Sequence, residues 1–136
     1  MRHYVDASAL VKLTFREPES AALRALLGHR PELVSSDLVR VELPRAVRRR
    51  AASHDLDLQR LLAAVEKTIA RVDLVFVTAD VLDAAGAIEA PALRSLDAVH
   101  LASALSIAPD LASFVTYDGR QAEVARAVGL DVASPR

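Results

Sequence analysis

The sequence predicts an α/β domain with a mainly parallel sheet. Three observations carry this expectation. Short apolar runs alternate with helix-length patterns along the whole chain, tight hairpin signals are few, and no linker, repeat or low-complexity tract divides the 136 residues. The length suits one ordinary domain with a real core, so a single domain spanning 1–136 is expected.

The elements follow in order. His3–Val5 is a short strand ending at Asp6, and Ala7–Phe15 reads as a helix. Glu17-Pro18-Glu19 breaks the pattern. Ser20 is a candidate N-cap for a helix to Leu27, which Gly28 ends. Leu33–Ser35 is a second strand. A helical stretch from Asp37 to Ala52 is expected to be interrupted at Pro44, because proline removes a backbone hydrogen bond. Asp57–Arg71 is a further amphipathic helix, and Leu74–Val77 is a continuous apolar strand. Thr78 can cap a helix to Ala90, and Pro91 separates it from a helix over Ser95–Ser106. Ser113–Thr116 is the next strand, Asp118–Val128 a helix stopped by Gly129, and Leu130–Ala133 the last strand.

Composition excludes several classes. With no cysteine there is no disulfide, thiolate zinc site or cysteine nucleophile, which fits a reducing cytoplasm. No stretch approaches the run of about 18 apolar residues that a membrane span needs. Met1–Asp6 carries a carboxylate where a signal peptide would be apolar. A cytoplasmic protein without membrane contact is therefore expected. The chain has 17 basic and 18 acidic residues and a net charge of −1, so any nucleic-acid contact must be local or mediated by metal. Aromatics make up only 4%, too few for a base-stacking platform.

The acids hold the chemistry. In an open parallel sheet, ligands bind outside the carboxyl ends of the strands. Asp6 lies at that end of the first strand, and Asp118 two residues past Thr116 at the end of the fourth. Either could instead be a helix N-cap, although Ser8 is available to cap the first helix in place of Asp6. Asp97 lies in the first turn of Ser95–Leu105, a helix apolar on nearly every side and so expected to be buried. The helix dipole favours an acid there; otherwise a buried carboxylate needs a cation or a donor. Glu42 follows the second strand, and alone it reads as a surface ion pair with Arg45 or a neighbouring arginine. Together the four suit magnesium or manganese, which take hard oxygen ligands. Such an ion would polarise a phosphodiester and lower the pKa of a bound water, with no covalent nucleophile.

Other motifs fail. There is no G-x-x-x-x-G-K, no G-x-G-x-x-G and no H-E-x-x-H, and His3, His29, His54 and His100 lack zinc spacing. His100, one turn after Asp97, reads as a hydrogen-bonded support or core residue rather than a ligand.

The sequence resembles the PIN-domain family and, within it, the VapC-type toxins. The resemblance rests on Tyr4-Val5-Asp6-Ala7-Ser8-Ala9-Leu10-Val11-Lys12, Val41-Glu42-Leu43, Leu96-Asp97-Ala98-Val99-His100-Leu101-Ala102 and Phe114-Val115-Thr116-Tyr117-Asp118, in that order over nearly the whole chain. It implies a three-layer α/β/α fold with a five-stranded sheet in the order 3-2-1-4-5. It implies magnesium or manganese held by Asp6, Glu42, Asp97 and Asp118, with Ser8 and Thr116 supporting the acids. RNA cleavage, a homodimer and a small antitoxin partner are also implied. Lys12 matches a common basic position, and alone is a solvated helix residue. Pro44 departs from the pattern and puts the aim of Glu42 in question. The basic run Arg45-Ala46-Val47-Arg48-Arg49-Arg50 could steer RNA phosphates, or be a solvated helix end or an antitoxin-facing patch.

Two rival classes are weighed. A non-catalytic PIN-like interaction module would leave a cluster of like charges unused. A phosphoacceptor receiver domain would want an acid pair at the first strand and a lysine at the last, and neither is present.

Overall fold

The computed structural model describes residues 1–136. Five strands form one sheet: β1 (Arg2–Val5), β2 (Glu32–Ser36), β3 (Val72–Val75), β4 (Leu111–Val115) and β5 (Val132–Ala133). All neighbours pair in parallel, in the order β3-β2-β1-β4-β5. The helices are α1 (Ala7–Thr14), α2 (Ser20–Leu27), α3 (Val39–His54), α4 (Leu58–Ile69), α5 (Ala79–Gly86), α6 (Ser95–Leu105) and α7 (Gly119–Ala127). The expected fold class and strand order are both realised.

Strand alternation makes the three layers. Val5, Leu33 and Val115 point to one face and pack with Leu10, Leu23, Leu43, Val47 and Val65 from α1 to α4. Their strand neighbours Tyr4, Val34 and Phe114 point to the other, against Leu101 and Ala104 of α6 and Ala125 of α7. α5 joins this second layer by packing Val81 and Ala85 on α6. Because successive side chains alternate across a strand, one register serves both cores. Each fully buried side chain of this size contributes roughly 1.5–3 kcal/mol.

The chain leaves β1 into α1 on one face and β4 into α7 on the other. The crevice between these neighbouring strands is the switch point of the sheet, open at their carboxyl ends. No helix is long and apolar enough to cross a membrane.

Several local expectations are corrected. Pro44 does not interrupt α3, which runs unbroken over 16 residues. Leu43 and Val47 anchor it in the core on either side of the proline, so packing holds the helix through the missing hydrogen bond. β3 ends two residues early: Phe76 is exposed, and the backbone N–H of Val77 donates to Asp37 Oδ1 (3.2 Å) rather than to a strand. α5 ends at Gly86, short of Ala90. Ser20 is the first residue of α2, not its side-chain cap. Its hydroxyl instead accepts from Glu17 N–H and lies 2.7 Å from the carbonyl of Lys12, closing the loop after α1. Gly28 and Gly129 take positive φ (79° and 93°), the left-handed region that ends their helices at little cost for glycine.

Lys12 is not a solvated residue. Its ammonium donates to Glu17 (2.7 Å) and Glu19 (2.8 Å) and lies 4.7 Å from the centre of the Tyr117 ring. Arg50 donates to the other oxygen of Glu17 (2.8 Å) and covers Phe15, tying the α1–α2 loop to α3.

Replacing Pro44 should stabilise the protein. Alanine would restore a donor to the carbonyl of Arg40, one turn back, in a helix the tertiary contacts already hold. Pro44→Ala is expected to gain about 1–3 kcal/mol, read as a higher thermal midpoint. A lower midpoint would show that the proline is needed to orient the start of α3.

Candidate active site

Asp6 is the residue immediately after β1, and it is only 2% exposed. Its Oδ1 accepts from the backbone N–H of Ala9 (2.9 Å), which makes it the N-cap of α1. Ser8, the alternative cap, does not take that place: it lies inside the first turn and its hydroxyl donates to Asp6 Oδ1 (2.6 Å). Thr116, just past β4, donates to Oδ2 (2.5 Å). The same carboxylate caps α1 and stands at the switch point of the sheet. Burial nevertheless pushes the Asp6 carboxyl above its ordinary range, against the pull of Ser8, Thr116 and Ala9.

Asp118 is the N-cap of α7, accepting from Arg120 N–H (2.9 Å) and Gln121 N–H (3.0 Å) on Oδ1. Its own N–H donates to Thr116 Oγ1 (3.1 Å), so one hydroxyl joins Asp6 to Asp118. Ser8 completes the link from the other side, accepting from Tyr117 N–H (2.9 Å). Gln121, fully buried, donates through Nε2 to the carbonyl of Asp97 (3.1 Å) and so fastens α7 to α6.

Asp97 lies in the first turn of α6, its side chain 22% exposed. Burial raises its carboxyl above the ordinary range, the charges of Asp118 and Glu42 raise it further, and Arg94 and His100 oppose them. Asp97 is thus crowded by two other acids of the group.

Glu42 does not pair with Arg45. It sits in the first turn of α3, where its Oε1 lies 2.6 Å from Nε2 of His100. His100 is 1% exposed, and its Nδ1 lies 2.9 Å from the hydroxyl of Tyr4. Tyr4 is stacked on Phe114, with ring centres 5.2 Å apart. A core aromatic pair thus sets the imidazole, and the imidazole sets Glu42. With Pro44 two residues on, Glu42 is aimed at His100.

The basic run after Glu42 divides. Arg50 serves the Glu17 clamp, while Arg45 and Arg49 line a groove of about 410 Å³ with Ser8, Val11, Glu42 and Leu96, directly beside the acids. A cleft of about 800 Å³ lies elsewhere, between the C-terminal ends of α1, α2 and α4, and contains none of the four carboxylates. Reactive groups outweigh size here, so the candidate site is assigned to the strand ends.

Sequence reading missed Arg94. Its guanidinium lies 3.6 Å from Asp97 Oδ2 and 3.5 Å from Asp118 Oδ2, bridging acids on two helices. The i, i+3 spacing to Asp97 was visible, but the reach to Asp118 depends on how α6 and α7 pack.

Can these residues hold a divalent ion? As the side chains stand, no three of them converge on one point that would hold a metal. The donor chemistry does fit: all four are hard oxygen donors. Asp97 Oδ1 and Glu42 Oε2 have no hydrogen-bond partner in the chain, and Asp118 Oδ2 meets only Arg94. Crowded acids whose sole bridging counter-charge is an exposed arginine form a set that suits a cation.

The sequence pattern of the PIN domain matches residues 3–127. The chain is 42% identical to Ribonuclease VapC46 of Mycobacterium tuberculosis over 132 residues, covering 97% of this chain and 96% of that protein. It is 45% identical to Ribonuclease VapC35 of the same organism over 137 residues, with the same coverage. Among solved structures, it is similar to VapBC2 of Rickettsia felis bound to a DNA fragment from its promoter (TM-score 0.70, 15% identity, 100% of both chains). It is also similar to Mycobacterium tuberculosis VapC20, described as a Sarcin-Ricin loop cleaving toxin (TM-score 0.71, 18% identity, 98% and 99% of the two chains). At such identities the structural likeness speaks for the fold.

The crowding at Asp97 makes a pH-dependent prediction for metal-free protein. A carboxyl whose folded pKa is raised stabilises the fold fully below its unfolded pKa, and that contribution is lost as pH rises through the folded value. Asp97→Asn should therefore melt a few degrees above the wild type in chelator at pH 7. The gap should close near pH 4, about where an ordinary aspartic acid protonates. Equal or lower melting of the variant at pH 7 would mean that Arg94 and His100 already neutralise the crowding.

Proposed function

The chain belongs to the PIN-domain family, and on that premise we propose that it is a metal-dependent endoribonuclease, the toxin component of a toxin–antitoxin pair. Relatives named as ribonucleases match nearly its full length at 40–45% identity. The observation that carries the reading is that Thr116 and Arg94 tie Asp6, Asp118 and Asp97 together at the carboxyl ends of β1 and β4, with Glu42, held by His100, acting on Asp97 through its charge.

In this reading the four acids hold magnesium or manganese. When bound, the ion supplies Lewis-acid neutralisation of the phosphodiester and activation of the water that attacks it. The chain's own residues prepare the rest. Ser8 and Thr116 hold Asp6 in one rotamer, and Tyr4 and His100 do the same for Glu42. Arg45 and Arg49, in the groove beside Glu42, face the approach of an RNA backbone and supply local positive charge to a chain of net charge −1. No serine, threonine or cysteine nucleophile is required: the Ser8 and Thr116 hydroxyls already serve Asp6.

The partner is proposed to be a small antitoxin that covers this site. Solved relatives include one described as a toxin-antitoxin complex from Klebsiella pneumoniae. A homodimer belongs to the same proposal and rests on the family alone. The Arg45–Arg49 groove is walled by α1 and α6, while α2 lines the separate cleft with α4.

Expression of the chain alone in a bacterium, with RNA ends mapped after growth arrest, tests the activity. Purified Asp6→Asn and Asp97→Asn should each lose at least about a hundredfold in cleavage, the scale set by loss of a main electrostatic group. Near wild-type cleavage by Asp97→Asn would remove that residue from the site, and metal binding without turnover on any RNA would favour a non-catalytic module. Co-purification from the native operon should bring down a small second chain; its absence would reduce the reading to a nuclease without the toxin role.

A further inference from the structure

Arg94 occupies an unusual place. It is the N-cap residue of α6, its backbone extended (ψ 157°), and its side chain emerges at the mouth of the crevice, 74% exposed. It approaches two carboxylates that belong to different helices and that repel each other. An isolated exposed ion pair would be worth little. A single guanidinium between two acids does what a divalent ion would do: it sets one positive group against two negative ones across the α6–α7 gap. The contacts are loose, 3.5 and 3.6 Å, where a tight charge-assisted hydrogen bond would be about 2.7–2.9 Å. Arginine stays charged at every working pH, so only displacement can remove it.

We propose that Arg94 is a built-in counter-cation of this site: it bridges Asp97 and Asp118 in the metal-free protein, and a divalent ion binds only by displacing it. This rests on the reading of the acids as a metal site. Two consequences follow. Arg94 steadies the metal-free fold and weakens metal binding by the same factor, because the coupling is reciprocal. Displacement also frees a guanidinium at the rim of the crevice, where a phosphate of the RNA would arrive. Metal loading and positive charge for the substrate are then produced by one movement.

The test is calorimetric titration of manganese into the metal-stripped full chain, for wild type, Arg94→Ala and Arg94→Lys, with melting curves in chelator and in saturating manganese. Arg94→Ala should bind manganese about three- to tenfold more tightly, the scale of two exposed ion pairs, and should melt below wild type in chelator. That gap should close in saturating manganese, when the arginine no longer bridges. Lysine keeps the charge but cannot fork, so Arg94→Lys should fall between the two. Unchanged or weaker manganese binding by Arg94→Ala, with wild type still binding, overturns the role of Arg94 and leaves the metal site standing. A melting gap that persists undiminished in saturating manganese overturns displacement. Failure of both wild type and Arg94→Ala to bind manganese overturns the metal reading itself.

Discussion

The crevice depends on one buried carboxylate. Asp6 sits where β1 ends at the centre of the sheet, almost wholly out of water, and a charge there needs donors. It has three: the first turn of α1, Ser8 within that turn, and Thr116 from the neighbouring strand. These bonds fix how α1 leaves the sheet and clamp the ends of β1 and β4 together. Thr116 then receives Asp118, and Gln121 ties α7 to α6. Removing Asp6 would unfasten a strand, a helix start and a side-chain network together.

Around that anchor, the remaining acids are held by partners of different strength. Glu42 is set by His100, which the Tyr4–Phe114 stack holds inside the core. Asp118 is fixed on one oxygen by the start of α7 and left open on the other. Asp97 has the weakest support, a loose contact with Arg94, and the charges of Asp118 and Glu42 act against its own. Such a gradient is expected at functional sites, where groups are placed at some cost in stability rather than for it. The rigid members define the crevice, and Asp97 and the second oxygen of Asp118 are the parts the chain holds least.

The Lys12–Glu17–Arg50 clamp, on the same face as α1 to α4, shows how misleading charge patterns can be. Lys12 looked like a solvated helix residue at a common basic position of the family, and Arg50 like one more member of a basic run. Both instead neutralise Glu17 and hold a loop that has little apolar material of its own. The same run leaves Arg45 and Arg49 beside the acids, because residues four apart share a helix face while Arg50 turns away from it.

The sequence by itself determined the alternation of strands and helices, the parallel sheet and the positions of its acids, because those depend on local periodicity and on which residue ends each strand. It could place Asp6 and Asp118 at strand ends and Asp97 in the first turn of a buried helix. Local signals misjudged Pro44, the end of β3 and the end of α5, since packing of Leu43 and Val47 and the pairing of β3 on β2 override propensity there. Only the tertiary structure decided that Glu42 meets His100, 58 residues away, and that Arg94 reaches Asp118 as well as Asp97. The second arises from the packing of α6 against α7, while the first joins the start of α3 to α6 through side chains that reach across from the two layers. Such distances are set by how two cores fill the faces of one sheet, and no spacing along the chain encodes them.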